Sequence, residues 1–309
     1  MPEVQGHRGA RGLWPENTLA GFARALAIGV NAVELDCGLS RDGTLVVTHD
    51  PELNPDLTRD ASGRFLSATG PPIVSLTWAE LQSYDVGRLK PGSAYAARFP
   101  AQQPVDGERI PRLADVLELV RTRGRERVRI AVEVKTFPDR PPPLTASPQA
   151  FAAALQRDLE ATGTAGLVDI MAFDWRVLSA VQRLMPQVST VALTEQQGEW
   201  DTVGLKASRP SPWLGGLDPA RFGRSVVRLV EASGARLWGP DFADLDAACV
   251  AEAHALGLRV IPWTVNEPAD MERMLAIRVD GMTTDRPDVL RALLERRGLA
   301  VAPQMGEIG

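Results

Sequence analysis

Short apolar segments alternate with amphipathic segments along most of the 309-residue chain. The amphipathic segments have helical periodicity, and several begin with Ser or Asp followed by Pro and end at Gly. The predicted strands, in chain order, are residues 3–7, 32–38, 129–135, 168–173, 190–193, 236–239, 259–264 and 281–284. The predicted helices are residues 18–28, 113–123, 148–161, 175–184, 221–232, 245–256, 268–276 and 287–296. This alternation predicts an α/β fold, and the number of strands favours a (β/α)8 (TIM) barrel over an open doubly wound sheet.

One long stretch breaks the alternation. Residues 51–110 are rich in Gly, Pro, Asp, Arg and aromatic residues, and only 75–84 has a weak helical pattern. A connection of this length is much longer than a usual strand-to-helix loop, and its aromatic residues favour a packed insertion. We therefore expect 1–309 to form a single barrel domain with an inserted subdomain at 51–110 after the second strand. The long loops at 138–148 and 195–219 are expected to shape the barrel mouth with it.

Composition and charge exclude several classes of protein. The net charge of −5 argues against a broad surface for nucleic acid, although a local site for one small anion remains compatible with it. The sequence has no run of 18 apolar residues, which excludes a membrane span. Two cysteines form neither a disulfide framework nor a four-cysteine zinc site. Only three histidines and three lysines are present, so a lysine in an apolar segment, where arginine is the usual basic residue of this chain, indicates a specific role.

Two predicted strands place acidic side chains on a common face. Glu34 and Asp36 alternate with apolar residues, which puts their side chains on the same side of the strand, about 6–7 Å apart. Glu133 ends the following predicted strand in the same way. Carboxylates on a buried face are costly without a cation, so their convergence indicates a site for a hard cation such as Mg²⁺ or Ca²⁺. The residues alone leave a second interpretation open, in which arginines pair with these carboxylates.

Two histidines also fall at apparent strand ends. His7 ends the first predicted strand, and His49 follows the apolar segment 45–47. A lone histidine at such a position is more often structural, but two beside convergent carboxylates could serve as acid and base near neutral pH. His254 lies in an amphipathic helix and is interpreted as a surface or packing residue.

Positive and aromatic residues accompany these groups. Arg8 and Lys135 would bring positive charge to the same rim, either to bind a phosphate or to pair with the carboxylates. Trp263, near the end of the seventh predicted strand, would form either an apolar wall of the site or part of the barrel core. The sequence contains no Gly-x-Ser-x-Gly elbow, no P-loop and no His-Glu-x-x-His motif.

Taken together, the motifs resemble those of the glycerophosphodiester phosphodiesterase family, in the family's order from about residue 5 to residue 290. They are His7-Arg8-Gly9, Pro15-Glu16-Asn17-Thr18, Glu34-Leu35-Asp36, Asp42-Gly43, His49-Asp50, Ile110-Pro111-x-Leu113, Glu133-Val134-Lys135, Trp263-Thr264-Val265-Asn266 and Thr284-Asp285-x-Pro287. Each motif is weak alone, whereas the ordered set is specific. The resemblance implies a barrel with a dedicated insertion after the second strand.

The resemblance also implies roles for individual residues. The predicted metal ligands are Glu34, Asp36 and Glu133; the acid–base pair is His7 and His49; the substrate-binding residues are Arg8, Lys135 and Trp263; and the supporting residues are Glu16 and Asn17. The cofactor is expected to be a divalent cation, Mg²⁺ or Ca²⁺. The departures from the family pattern are Cys37, directly after Asp36, and the segment after His49, which leaves the preferred alcohol group open.

The expected activity is metal-dependent hydrolysis of glycerophosphodiesters to sn-glycerol 3-phosphate and an alcohol, by acid–base catalysis with two histidines. The nucleophile is either water or, as we favour, the glycerol 2-hydroxyl of the substrate. The alternatives are a lysophospholipase D-like phosphodiesterase on the same barrel and a non-catalytic phosphodiester-binding barrel. The expected partner is this small-molecule substrate, with no nucleic acid. The chain as given suggests a cytoplasmic protein, and a periplasmic or secreted one if a signal peptide was removed.

Overall fold

Strands and helices alternate around a ring in the computed structural model, which describes residues 2–140, 144–197 and 200–304. The strands are β1 (Glu3–Gly6), β2 (Ala32–Leu39), β3 (Leu45–Val47), β4 (Arg129–Val134), β5 (Val168–Ala172), β6 (Ser189–Thr194), β7 (Leu237–Pro240), β8 (Arg259–Val260) and β9 (Gly281–Thr284). The helices are α1 (Leu19–Ile28), α2 (Trp78–Leu81), α3 (Ala94–Ala97), α4 (Leu113–Arg123), α5 (Pro148–Thr162), α6 (Trp175–Leu184), α7 (Val226–Ala232), α8 (Ala247–Ala255), α9 (Pro268–Ala276) and α10 (Pro287–Arg296).

Eight of the strands are parallel and form a nearly closed barrel. Their order is β8-β7-β6-β5-β4-β2-β1-β9, and β1 pairs with both β2 and β9. The two ends of this order meet through backbone hydrogen bonds that Asp280 donates to Val260 and Thr283 donates to Pro262, 2.9 Å each. The predicted (β/α)8 barrel is therefore confirmed. No helix within the described ranges is long and apolar enough to cross a membrane.

The strand at the seam is much shorter than predicted. The sequence pattern predicts a strand over 259–264, whereas β8 covers only Arg259–Val260. Pro262 has no N–H to give to a strand ladder, so the pairing stops there. The chain beyond it stays beside the barrel through single hydrogen bonds, such as the one from the Val265 N–H to the Thr283 carbonyl at 2.9 Å.

The helix predicted at 221–232 is also shorter, since α7 begins only at Val226. A short 3-10 turn, Pro219–Phe222, precedes it. Gly223 and Arg224 follow that turn with positive φ angles of 62° and 56°, which a right-handed helix does not accept. Gly223 and Arg224, both in the left-handed conformation, therefore separate the 3-10 turn from α7.

A strand outside the predicted set of eight brings His49 to the barrel. β3 folds back antiparallel on β2, with Cys37 opposite Val47. Gly43, with a φ of 76°, lies in the turn that joins the two strands. The hairpin directs the chain back to the end of β2, where the acidic residues lie.

Residues 51–110 follow this hairpin and end before α4. The weak helical pattern at 75–84 becomes only the single turn α2, which Thr77 and Glu80 cap reciprocally. A separate apolar cluster holds this segment against the barrel; its buried members are Val46, Leu53, Ile73, Leu81 and Ile110. The segment therefore packs as a folded layer at the mouth of the barrel.

Candidate active site

The three acidic side chains meet because β2 and β4 are neighbours in the barrel. The register places Asp36 opposite Glu133, and Glu34 lies two residues before Asp36 on the same face. All three are buried, and one ligand oxygen of each lies within 4.8 Å of the others. The alternation of the two strands thus produces one compact group of carboxylates at the carboxyl ends of the barrel strands.

Burial and the neighbouring charges together set the pKa values of these carboxylates. Burial, with the charges of Asp36 and Glu133, raises the pKa of Glu34 well above its usual range. Burial likewise raises the pKa of Glu133 to about 7, against the opposing effect of Lys135. Although burial alone raises the pKa of Asp36, Lys135 and Arg8 hold it well below the ordinary value. A nearby positive charge is therefore needed for all three to be ionised together.

The carboxylate group fits a hard divalent cation. Its donors are all oxygens, which Mg²⁺ and Ca²⁺ prefer. Within the described part of the chain, the buried Oδ1 of Asp36 accepts no hydrogen bond, although Lys135 Nζ lies 3.0 Å away. An unused lone pair on a buried carboxylate beside two further carboxylates is a suitable ligand position. The group can therefore hold a metal ion.

Arg8 binds the carboxylate group from the first loop. Its backbone N–H donates to Glu34 Oε2 at 2.8 Å, and its Nε lies 3.2 Å from Asp36 Oδ2. Gly9 permits this turn, with a φ of 88° and a position where an added Cβ would lie 3.1 Å from the carbonyl carbon of Gly21. The close packing of the first loop on α1 therefore fixes the Arg8 guanidinium next to the carboxylates.

Glu16 and Asn17 support this arrangement from behind. Glu16 accepts a hydrogen bond from Arg8 Nη1 at 2.7 Å and another from the Tyr95 hydroxyl. The Asn17 amide donates to Asp36 Oδ2 at 2.9 Å. These contacts hold Arg8 and Asp36 in place.

Lys135 lies between two of the carboxylates. Its Nζ is 3.0 Å from Asp36 Oδ1 and 2.5 Å from Glu133 Oε1. Burial alone lowers the pKa of Lys135, but these two carboxylates raise it above the ordinary value, so the ammonium group is charged. Both interpretations of Arg8 and Lys135 are compatible with this geometry, since each pairs with carboxylates and also lines the cavity described below.

The first histidine is held by an aspartate from the far end of the chain. His7 Nδ1 lies 2.6 Å from Asp285 Oδ1, while its Nε2 is 3.9 Å from Glu34 Oε2. Burial lowers the pKa of His7 to about 4, and Arg11 adds to this effect against the opposing charge of Asp285. The ring is therefore neutral at pH 7, with Nδ1 directed to Asp285 and Nε2 towards the carboxylates.

Asp285 is itself fixed by three further hydrogen bonds. Arg11 donates to both of its oxygens, at 2.9 and 3.0 Å, and Asn266 donates to Oδ2 at 2.8 Å. Burial alone raises the pKa of Asp285, but His7 and Arg11 hold it well below the usual range. The sequence reasoning gave Asp285 and Arg11 no role. The motif Thr284-Asp285-x-Pro287 was the available signal for Asp285.

His49 has a similar but more open environment. Its Nδ1 lies 2.7 Å from Asp50 Oδ1, and the Asn54 amide holds Asp50 Oδ2 at 2.6 Å. Burial, together with Arg8 and Lys135, lowers the pKa of His49. Both predicted catalytic histidines thus make a hydrogen bond from Nδ1 to a carboxylate.

These residues surround a cavity of about 290 Å³ at the barrel mouth. Of the ten predicted site residues, seven line it, namely His7, Arg8, Glu34, His49, Glu133, Lys135 and Trp263. Of the other three, Glu16 and Asp36 contact Arg8 from behind, and Asn17 contacts Asp36. Trp263 forms part of the wall, with its Nε1–H bonded to the Gly239 carbonyl at 2.9 Å. His254 lies away from the site and pairs with Asp280 at 3.0 Å.

Residues 7–289 match the model of the glycerophosphoryl diester phosphodiesterase family, which is nearly the whole chain. The chain belongs to this family. A glycerophosphodiester phosphodiesterase from Caldanaerobacter subterraneus is 28% identical over 299 residues, covering 96% of this chain and 98% of that protein. A Bacillus subtilis protein of the same name is 28% identical over 288 residues, covering 92% of this chain and 83% of its own.

Solved structures of the family share the fold. A candidate glycerophosphoryl diester phosphodiesterase from Silicibacter pomeroyi superposes with a TM-score of 0.85 at 34% identity, covering 98% of this chain and 96% of its own. An Oleispira antarctica phosphodiesterase, solved in complex with the product sn-glycerol-3-phosphate, superposes with a TM-score of 0.69 at 21% identity, covering 96% and 97%. The second likeness supports the fold alone.

The bond between His7 and Asp285 leads to a prediction for Asp285→Asn. Loss of the carboxylate should lower kcat by roughly 10²–10⁴-fold, because the amide no longer fixes the ring and its tautomer. The low-field proton resonance expected for His7 Nδ1–H should disappear or shift in the same variant. Both quantities can be measured on the purified protein by steady-state kinetics and proton NMR.

The control for this prediction is His254→Ala. His254 pairs with Asp280, and this histidine–aspartate pair lies away from the cavity. That variant should keep both kcat and the His7 resonance. A normal kcat in Asp285→Asn would contradict the positioning role, and so would a loss of activity with an unchanged His7 resonance.

Proposed function

We propose that the protein hydrolyses glycerophosphodiesters to sn-glycerol 3-phosphate and an alcohol, in a reaction that requires a divalent cation. Membership of the family makes the protein a phosphodiesterase. The observation that supports a metal-dependent, histidine-assisted hydrolysis is the convergence of three carboxylates and two aspartate-bonded histidines on one cavity. The relatives from Caldanaerobacter subterraneus and Bacillus subtilis, both named glycerophosphodiester phosphodiesterase, support the same choice of substrate.

Glu34, Asp36 and Glu133 would hold the cation, and Mg²⁺ or Ca²⁺ suits their oxygen ligands best. When bound, such an ion supplies positive charge that neutralises phosphate oxygens. Arg8 and Lys135 also line the cavity and add fixed positive charge there, since both lie next to Asp36. Their guanidinium and ammonium groups would stabilise the charge that develops on the phosphate oxygens during cleavage.

The two histidines would move the protons. Each is bonded through Nδ1 to a carboxylate, which leaves Nε2 as the atom that exchanges a proton with the substrate. One ring is neutral, and its Nε2 accepts the proton of the attacking hydroxyl as the new O–P bond forms. The other ring is an imidazolium, and its Nε2–H protonates the leaving alcohol oxygen as the old P–O bond breaks. Asp285 and Asp50 keep the rings oriented for this exchange.

A lysophospholipase D-like activity is the second candidate, because aromatic side chains form part of the cavity wall. A panel of glycerophosphodiesters and lysophosphatidylcholine, assayed with added Mg²⁺, Ca²⁺ and Mn²⁺ after chelation, tests both candidates. Release of sn-glycerol 3-phosphate supports the first. Faster turnover of lysophosphatidylcholine than of glycerophosphocholine would support the second.

Metal removal gives a prediction for the carboxylates. A chelator should abolish activity, and a divalent cation should restore it. Glu34→Gln and Glu133→Gln should each raise the cation concentration needed for half-maximal activity, since each removes one charged ligand. Measurement of rate against cation concentration checks this, with Glu108→Gln as a control carboxylate outside the cavity. Full activity of the wild-type protein in excess chelator would contradict the proposal.

The histidine pair gives a second prediction. His7→Ala and His49→Ala should each lower the rate by roughly 10²–10⁴-fold, the usual contribution of a positioned acid or base. The double variant should be little slower than the slower single variant, because residues that act as a unit are not additive. Single-turnover kinetics of the three variants measure this. Strictly additive losses would show that the two histidines act separately.

A further inference from the structure

The cavity has a polar half and an apolar half. In the ring of eight parallel strands, β1 and β6 are four places apart and therefore face each other across the mouth. His7, Arg8 and Arg11 line the cavity from the β1 side, whereas Leu193 and Trp200 line it from the β6 side. A phosphodiester bound at the charged groups must therefore extend one ester arm towards the apolar half.

Three aromatic side chains, Phe173, Trp200 and Trp263, line this apolar half, and Trp213 packs against Phe173 and Trp200. We call these four residues the aromatic corner. Phe173 meets Trp263 at 90° with ring centroids 5.3 Å apart, and Trp200 meets Trp213 at 84° and 5.5 Å. Phe173 also joins the two pairs, at 4.7 Å from Trp200. Rings set at right angles present both edges and faces around one corner.

Part of this aromatic surface remains exposed to the cavity. Trp200 and Trp263 are only half-buried although they are large apolar side chains, and both line the cavity. The Nε1–H of Trp263 is already bonded to the Gly239 carbonyl. The Trp263 ring therefore offers the cavity an apolar surface with no free hydrogen-bond donor. An exposed apolar surface beside a polar wall is typical of a ligand site.

The two arms of a glycerophosphodiester differ in what they require. Glycerol carries hydroxyl groups that need hydrogen-bond partners, and Asn54, Asp50 and Arg98 offer such groups at the cavity wall. The aromatic corner would leave these hydroxyls unpaired. The glycerol arm therefore suits the polar half, and the leaving alcohol suits the aromatic corner.

We propose that the aromatic corner binds the leaving alcohol and selects a quaternary ammonium group of the choline type. Methylated nitrogen needs no hydrogen bonds, and its positive charge is attracted to aromatic faces. The proposal rests on the proposed hydrolysis, for which it names the preferred substrate class.

The test compares three diesters that differ only in the leaving alcohol. They are glycerophosphocholine, glycerophosphoethanolamine and the 3,3-dimethylbutyl ester, in which carbon replaces the choline nitrogen. The variants are Trp263→Leu, the double variant Trp200→Leu/Trp263→Leu and the conservative Trp263→Phe. Trp14→Leu is the control, because Trp14 packs under Arg24 at 4.0 Å and is not among the lining residues. Thermal unfolding shows whether each variant is folded.

The wild-type protein should show a kcat/KM for the choline ester about 10- to 100-fold above that for the ethanolamine ester, the range that a few pocket contacts give. The choline ester should also exceed the dimethylbutyl ester. The double variant should reduce the choline preference to about threefold or less, whereas Trp263→Phe and Trp14→Leu should keep most of it. The Trp14→Leu control should leave activity on the ethanolamine ester unchanged.

Equal rates on the choline and ethanolamine esters, or a choline preference that survives in the double variant, would overturn the proposal. Equal rates on the choline and dimethylbutyl esters would overturn the selection for charge. Cleavage of none of the esters with any cation would instead contradict the proposed hydrolysis. In that case tryptophan fluorescence decides the site: choline should bind the wild-type protein more tightly than ethanolamine, and equal binding would overturn the proposal.

Discussion

The mutual repulsion of Glu34, Asp36 and Glu133 is the constraint on which the site depends. Two neighbouring strands hold these carboxylates within 4.8 Å of one another and away from water. Such a group is tolerated only where positive charge is close, which Arg8 and Lys135 provide in part. Burial first, and the charges of Asp36 and Glu133 second, raise the pKa of Glu34 even with Arg8 beside it. A divalent cation would neutralise the remaining negative charge of the three carboxylates.

The same constraint organises the surrounding residues. Arg8 can lie among the carboxylates because Glu16 and the first loop fix it, and Lys135 can do so because β4 aligns with β2. The histidines lie just outside this charged group, each oriented by its own aspartate. The charged groups therefore occupy one half of the cavity, and the aromatic corner is left to form the other half.

The sequence predicted the parts of the site that depend on strand alternation. Glu34 and Asp36 share a face whatever their neighbours are, and the barrel fold brings Glu133 to the same edge. The role of Asp285 depends on the closure of β9 against β1, which local patterns do not encode. Trp200 likewise reaches the cavity through a long loop whose path depends on tertiary packing. The sequence left the place of Trp263 open for the same reason.

The central claim is that the carboxylate group is a cation site, and thermal unfolding after chelation tests it directly. Added Mg²⁺, Ca²⁺ or Mn²⁺ should raise the Tm of the wild-type protein along a saturable curve, because an ion that binds only the folded state stabilises it. The double variant Glu34→Gln/Glu133→Gln should show no such rise. An unchanged Tm in the wild-type protein, or an equal rise in the double variant, would contradict the account.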